Sequence, residues 1–133
     1  MAKWNRAKFW HDYISLYGFM RCELCGWKHP CESGYEAHHL ISRKMTMGNK
    51  KARHYTERKW WVFMASLCPA HNQTADCWEA RYILLDARVL MFGEAVVAHA
   101  VEELLMLMKS DVPELHRYLG PVPLTPPPGG EAV

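Results

Sequence analysis

The chain has no run of about 18 consecutive apolar residues, the length a membrane-spanning helix requires. Its start, Met-Ala-Lys-Trp-Asn-Arg, leads into a polar amphipathic segment and not into a signal-peptide core, so an intracellular, cytoplasmic protein is expected. Cysteine is too scarce and too oddly numbered, at five, for a disulfide framework. Proline is nearly missing before residue 121: five of the eight fall in the last thirteen positions, beside two adjacent glycines, which predicts a flexible extended tail over 121–133. No internal repeat is present, which excludes a solenoid. Acid is short in the first half, where residues 1–72 carry twelve Lys and Arg against five Asp and Glu, a net of +7, while residues 73–133 carry a net of −5. The first half suits a polyanion and the second does not.

What is present describes a folded chain. Half of the 133 residues are apolar or aromatic and 23% are charged, too hydrophobic for disorder, and the length accommodates one domain, taken as 1–120. Phe9, Trp10, Tyr13, Ile14 and Tyr17 recur at helical spacing before Gly18, predicting a first helix from Trp4 to Tyr17. Residues 19–72 have scattered Cys, His and Gly and short apolar runs, so a small irregular metal-supported unit is expected, with brief strands near Tyr35 to Ile41 and Trp60 to Leu67. Helical pattern returns over 74–119. Trp78, Tyr82, Leu85 and Val89 line one face up to Gly93, Glu94 to Lys109 reads as another helix, and Pro113 to Leu119 as a short one. The fold class is therefore α+β, mostly helical. Val96, Val97, Val101 and Leu104 to Met108 make the second of these helices apolar on several sides. The first helix and the segment Trp78 to Leu90 are expected to cover it, and a homodimer, in which a second copy of the chain meets part of that surface, stays open.

Cys22-Glu-Leu-Cys25 and Cys68-Pro-Ala-His71 are two ligand pairs, each with two intervening residues, separated by 42 positions. A two-residue spacer lets a tight turn aim both side chains at one ion, and two such turns complete the tetrahedron that zinc prefers. Cys22, Cys25, Cys68 and His71 are thus the expected structural zinc ligands. Cys31 stands close enough to the first pair to compete for the metal, whereas Cys77, at a helix start, reads as core. Such a closed zinc site leaves no position for chemistry, so an activity needs other groups. Between the pairs stands Tyr35-Glu-Ala-His38-His39-Leu-Ile, and Asn72 directly follows the fourth ligand. Neighbouring side chains of a regular strand face opposite ways, so His38 and His39 can serve one site only where the strand ends or twists.

In that order of CxxC, HH, ligand pair and Asn, the 51 residues from Cys22 to Asn72 resemble the HNH, or ββα-metal, nucleases. The likeness is to the small phage and prophage proteins of that family, including the endonuclease VII type. The resemblance implies a zinc-stabilised ββα-metal motif, a general base at His39, and a catalytic Mg²⁺ or Mn²⁺ held by His38 and Asn72. It implies DNA as the substrate, and for a phage protein the host cytoplasm as its place. The Asn that the family carries on its second strand is missing from Trp60 to Leu67, with Asn49 and His54 as substitutes at hand. A non-catalytic zinc module that binds nucleic acid or a protein is therefore the competing reading, and a branched-DNA resolvase is a variant of the enzyme reading.

The residue types suit phosphodiester hydrolysis on their own account. An imidazole with a pKa near 6.5 can take a proton from water at neutral pH, and a cation held by one imidazole and one amide oxygen keeps most of its coordination open. Between Ser42 and Trp61, Arg43, Lys44, Lys50, Lys51, Arg53, Arg58 and Lys59 oppose the single Glu57 and interleave with Tyr55, Trp60 and Trp61. These seven cations are the expected DNA contacts, reaching phosphates without reading sequence. Arg81 and Arg88, on the acidic half, are expected to matter little for DNA.

Overall fold

In the computed structural model residues 4–120 are described, so the tail expected at 121–133 lies outside the described residues. Asn5 begins the chain's first helix, α1 (Arg6–Tyr17): its side chain accepts the Lys8 N–H at 2.7 Å, and Gly18 in the left-handed region ends the helix. Phe9 and Tyr13, one turn apart, bury against Trp60 and Met64 in a small aromatic cluster that seats α1 on the first strand. From Gly18 to Tyr35 no helix or strand forms.

Strands β1 (Glu36–His39) and β2 (Met64–Leu67) pair antiparallel, with Glu36 opposite Leu67 and His39 opposite Met64. Two strands alone are marginal in water, and this pair is stabilised by helices packed around it. Four short helices lie in the stretch expected to be irregular: α2 (Arg43–Thr46), α3 (Lys50–Arg58), α4 (Trp60–Phe63) and α5 (Pro69–Thr74). Three of the four have side-chain caps present in the sequence. Ser42 accepts the Met45 N–H, Asn49 the Ala52 N–H, and Cys68 the His71 N–H with Pro69 at the first helical position. The second expected strand is cut to half its length because Trp60–Phe63 closes a helical turn directly before β2.

The helices α6 (Trp78–Phe92) and α7 (Glu94–Met108) are joined by Gly93 alone, at φ +94°, and a 3-10 turn, Pro113–Tyr118, closes the described chain. Leu84, Leu85, Val97, Val101 and Leu104 form the main core with Leu40, Ile41, Val62, Phe63 and Leu67. As expected, α7 packs against α6, and it also packs against α3 and the 3-10 turn, but α1, expected on α7, packs on β1 instead. The deepest face of α6 also differs from the expected one, because Arg81 and Arg88 lie on it beside Ala80, Leu84 and Leu85. Short elements leave backbone carbonyls without ladder partners, and these arginines supply the donors: Arg81 Nε to Leu40 O at 2.8 Å, Arg88 Nε to Trp61 O at 2.9 Å and Arg88 Nη2 to Met64 O at 2.6 Å. Among the described residues, no helix is long and apolar enough to cross a membrane.

Candidate functional site: a Cys3His cluster beside a histidine pair

Cys22, Cys31, Cys68 and His71 bring their donor atoms within 4.8 Å of one another. His71 Nδ1 lies 3.5 Å from Cys22 Sγ, 3.7 Å from Cys31 Sγ and 3.1 Å from Cys68 Sγ. A zinc tetrahedron with metal–ligand distances of about 2.0–2.3 Å has edges of about 3.5 Å, so the spacing suits zinc. The far nitrogen agrees, since His71 Nε2–H donates to the Trp27 carbonyl at 2.7 Å and thereby leaves Nδ1 with the lone pair a metal needs. His29 stacks on the same ring at 4.1 Å.

The thiols are electrostatically unequal. Burial opposes ionisation of Cys68, but the backbone N–H groups of His71 and Glu32, joined by the His71 ring and Cys22, outweigh it and bring the thiol down to about 6. Cys31 is pushed up to about 12, first by desolvation and then by hydrogen bonds with Cys22 and Cys25. Crowded thiols cannot all release protons without a compensating cation, which a zinc ion would supply.

One expected ligand changes. Both Cys25 and Cys31 are exposed, but Cys25 lies outside the group of four and Cys31 is within it. Cys25 N–H bonds the Cys22 carbonyl at 3.2 Å in a tight turn that buries Leu24, and the Cys25 thiol hydrogen-bonds with Cys31, so it stays at the margin of the cluster. A CxxC spacing reveals a turn but not which side chain the core claims.

The paired histidines sit where β1 ends and face different neighbours. His38 Nδ1 lies 2.8 Å from Asn72 Oδ1 on α5, and Asn72 Nδ2 donates to Glu36 Oε1 at 2.7 Å, which turns the amide oxygen toward the imidazole. The amide oxygen only accepts, so this contact puts the proton on Nδ1; a cation between the two atoms, whose octahedral ligands stand about 3 Å apart, would have to displace that proton. His38 Nε2 is buried and has no hydrogen-bond partner. His39 Nε2 lies 3.1 Å from Glu57 Oε2 on α3, and the Trp4 ring stands edge-on to His39 at 5.3 Å. Burial lowers the pKa of both imidazoles. At His38 the Asn72 hydrogen bond works against it; at His39 the Arg53 charge adds to it while Glu57 opposes it. Both rings are thereby biased to the neutral form, able to take a proton or hold a cation.

Neither substitute for the missing Asn reaches His39. Asn49 caps α3 and donates to the Leu107 carbonyl at 2.7 Å, and His54 is exposed. The residues the sequence reading passed over are Glu36 and Glu57. Glu57 carried a signal, as the single acid among seven cations.

Of those cations, Arg43, Lys44, Lys50, Lys51 and Arg58 are exposed, and Lys50, Lys51 and Arg58 share the outer face of α3 with His54. Arg53 is committed inward, its Nε 3.6 Å from Glu57 Oε2 and its Nη1 3.5 Å from the Ile41 carbonyl, and Lys59 lies over the Trp61 ring at 5.1 Å. Arg81 and Arg88 are buried braces and not surface charges.

Compared with known proteins, the chain matches no family model, no curated protein and no solved structure.

Proposed function

We propose that this chain is a zinc-stabilised HNH endonuclease that hydrolyses DNA phosphodiester bonds. The observation that carries the reading is the meeting of His38 Nδ1 and Asn72 Oδ1 at 2.8 Å, from the end of one strand and a short helix, beside a second imidazole. His38 and Asn72 would hold a divalent cation, Mg²⁺ or Mn²⁺, which when bound would neutralise phosphate charge and stabilise the departing 3′ oxygen. His39, neutral and half-buried, takes the proton of the water whose oxygen attacks phosphorus. The basic outer face of α3 includes Arg58, next to Glu57, with Lys50 and Lys51 about two turns back, and could hold the phosphates flanking the cut. Cys22, Cys31, Cys68 and His71 bind zinc and take no part in the reaction.

Nicking of supercoiled plasmid tests this. Cleavage is expected with Mn²⁺ or Mg²⁺ added to the zinc-loaded protein and none with the cation omitted. His39→Ala should lose about 10² to 10⁴ in rate, while His38→Ala and Asn72→Ala should raise the cation concentration required. Cleavage by His39→Ala at the wild-type rate would remove the assigned base. The missing strand Asn favours the second reading, a non-catalytic zinc module; inactivity of the wild type with every divalent cation, together with retained DNA binding, would establish it. A four-way DNA substrate in the same assay separates a resolvase, which needs two paired cuts and hence two copies of the chain.

A further inference from the structure

The His39–Glu57 pair constrains which ring nitrogen can do chemistry. A carboxylate only accepts hydrogen bonds, so its contact with Nε2 at 3.1 Å requires the proton on that nitrogen. We infer that Glu57 is a positioning residue that fixes His39 as its Nε2–H tautomer and leaves Nδ1 as the nitrogen that receives a proton. The role for Nδ1 rests on the nuclease reading above, while the tautomer does not.

Several independent contacts hold the pair. Both side chains are largely shielded, 16% exposed for His39 and 14% for Glu57. Arg53, one turn before Glu57 on the same face of α3, puts Nε 3.6 Å from the same carboxylate oxygen and Nη1 against the Ile41 carbonyl just after β1, so the carboxylate is held between the helix and the strand end. Trp4 limits rotation of the imidazole from the other side. The helix is itself anchored, with Asn49 bonded to the Leu107 carbonyl and Tyr55 Oη to Glu103, both on α7.

The experiment combines nitrogen-15 NMR of the histidines with steady-state nicking, on the zinc-loaded full chain at one alkaline pH. In the wild type, His39 should show the Nε2–H tautomer. Glu57→Ala should give a mixture of tautomers and lower kcat by about 10- to 100-fold with KM little changed, the loss usual for removing an outer partner of a functional imidazole. Glu57→Asp should recover part of kcat. Glu57→Gln, whose carbonyl oxygen can still accept from Nε2–H, should keep the tautomer and guard against a result due to misfolding. An unchanged tautomer in Glu57→Ala overturns the inference, as does a rise in KM with kcat intact. A tautomer that responds to Glu57 in a wild type that cuts no DNA supports the positioning and overturns the nuclease reading alone.

Discussion

At the scale of single residues, two substitutions separate this chain from what its spacing suggests. If Cys31 completes the zinc site, Cys31→Ser and Cys68→Ser should each lose the metal, whereas Cys25→Ser should purify with one zinc per chain. Metal analysis with thiol titration checks this, and the opposite pattern for Cys25 and Cys31 would return the first CxxC to its simple reading. The second case is Glu23, which stands inside that CxxC. Its carboxylate pairs with both terminal nitrogens of Arg88 and accepts from the Ser66 N–H and the Tyr13 hydroxyl, each at 2.9 Å. One side chain thus ties the zinc turn to β2, α1 and α6. Truncating one member of a buried ion pair strands the other, so Glu23→Ala should cost about 3–5 kcal/mol in urea unfolding. Surface behaviour, within about 0.5 kcal/mol, would disprove the brace.

At the scale of elements, α3 gathers the basic stretch into a surface. Alanine, tyrosine and threonine at positions 52, 55 and 56 turn inward, leaving Lys50, Lys51, His54 and Arg58 on the outside. Cations on one helical face meet a phosphate backbone together, which a disordered loop would not ensure. Replacing Lys44, Lys50 and Lys51 by Gln should flatten the slope of log affinity against log salt by about two to three units if each touches a phosphate. Anisotropy titrations at several salt concentrations decide this. An unchanged slope would put the DNA surface elsewhere. Arg81 and Arg88 cannot serve as neutral controls, since they are buried and hold the carbonyls of Leu40, Trp61 and Met64.

At the scale of the whole molecule, a metal held by the Cys3His cluster would stabilise residues 18–35 more than the helices. Over 18–35 the backbone hydrogen bonds are mostly local turns, with Glu23 N–H to the Ser66 carbonyl as a long-range tie. The two fifteen-residue helices contribute much of the main apolar core, which they share with α3, α4, the 3-10 turn and β2, while the 18–35 segment adds Leu24 to it. Hydrogen exchange after zinc is stripped should therefore show protection lost first at 20–35 and kept longest in α6 and α7. Uniform loss would mean that the core and the metal site melt as one unit.

Three of the four cluster residues, Cys22, Cys68 and His71, the histidine pair, several helix caps and the mostly helical balance were legible in the sequence, because each depends on local spacing or on the residue's own conformational preference. Ser42, Asn49 and Pro69 marked helix starts within the stretch read as irregular; short helices there lack the long apolar periodicity that reveals α1, α6 and α7. What tertiary structure alone decided were the choices between equivalent local options. The fold of residues 18–35 brought Cys31 to Cys22, Cys68 and His71, the open carbonyls of Trp61 and Met64 drew Arg88 inward, and the packing of α3 beside β1 brought Glu57 to His39 across eighteen positions of chain. Each of these is a contest for a buried partner, and its outcome depends on which groups the completed fold leaves without one.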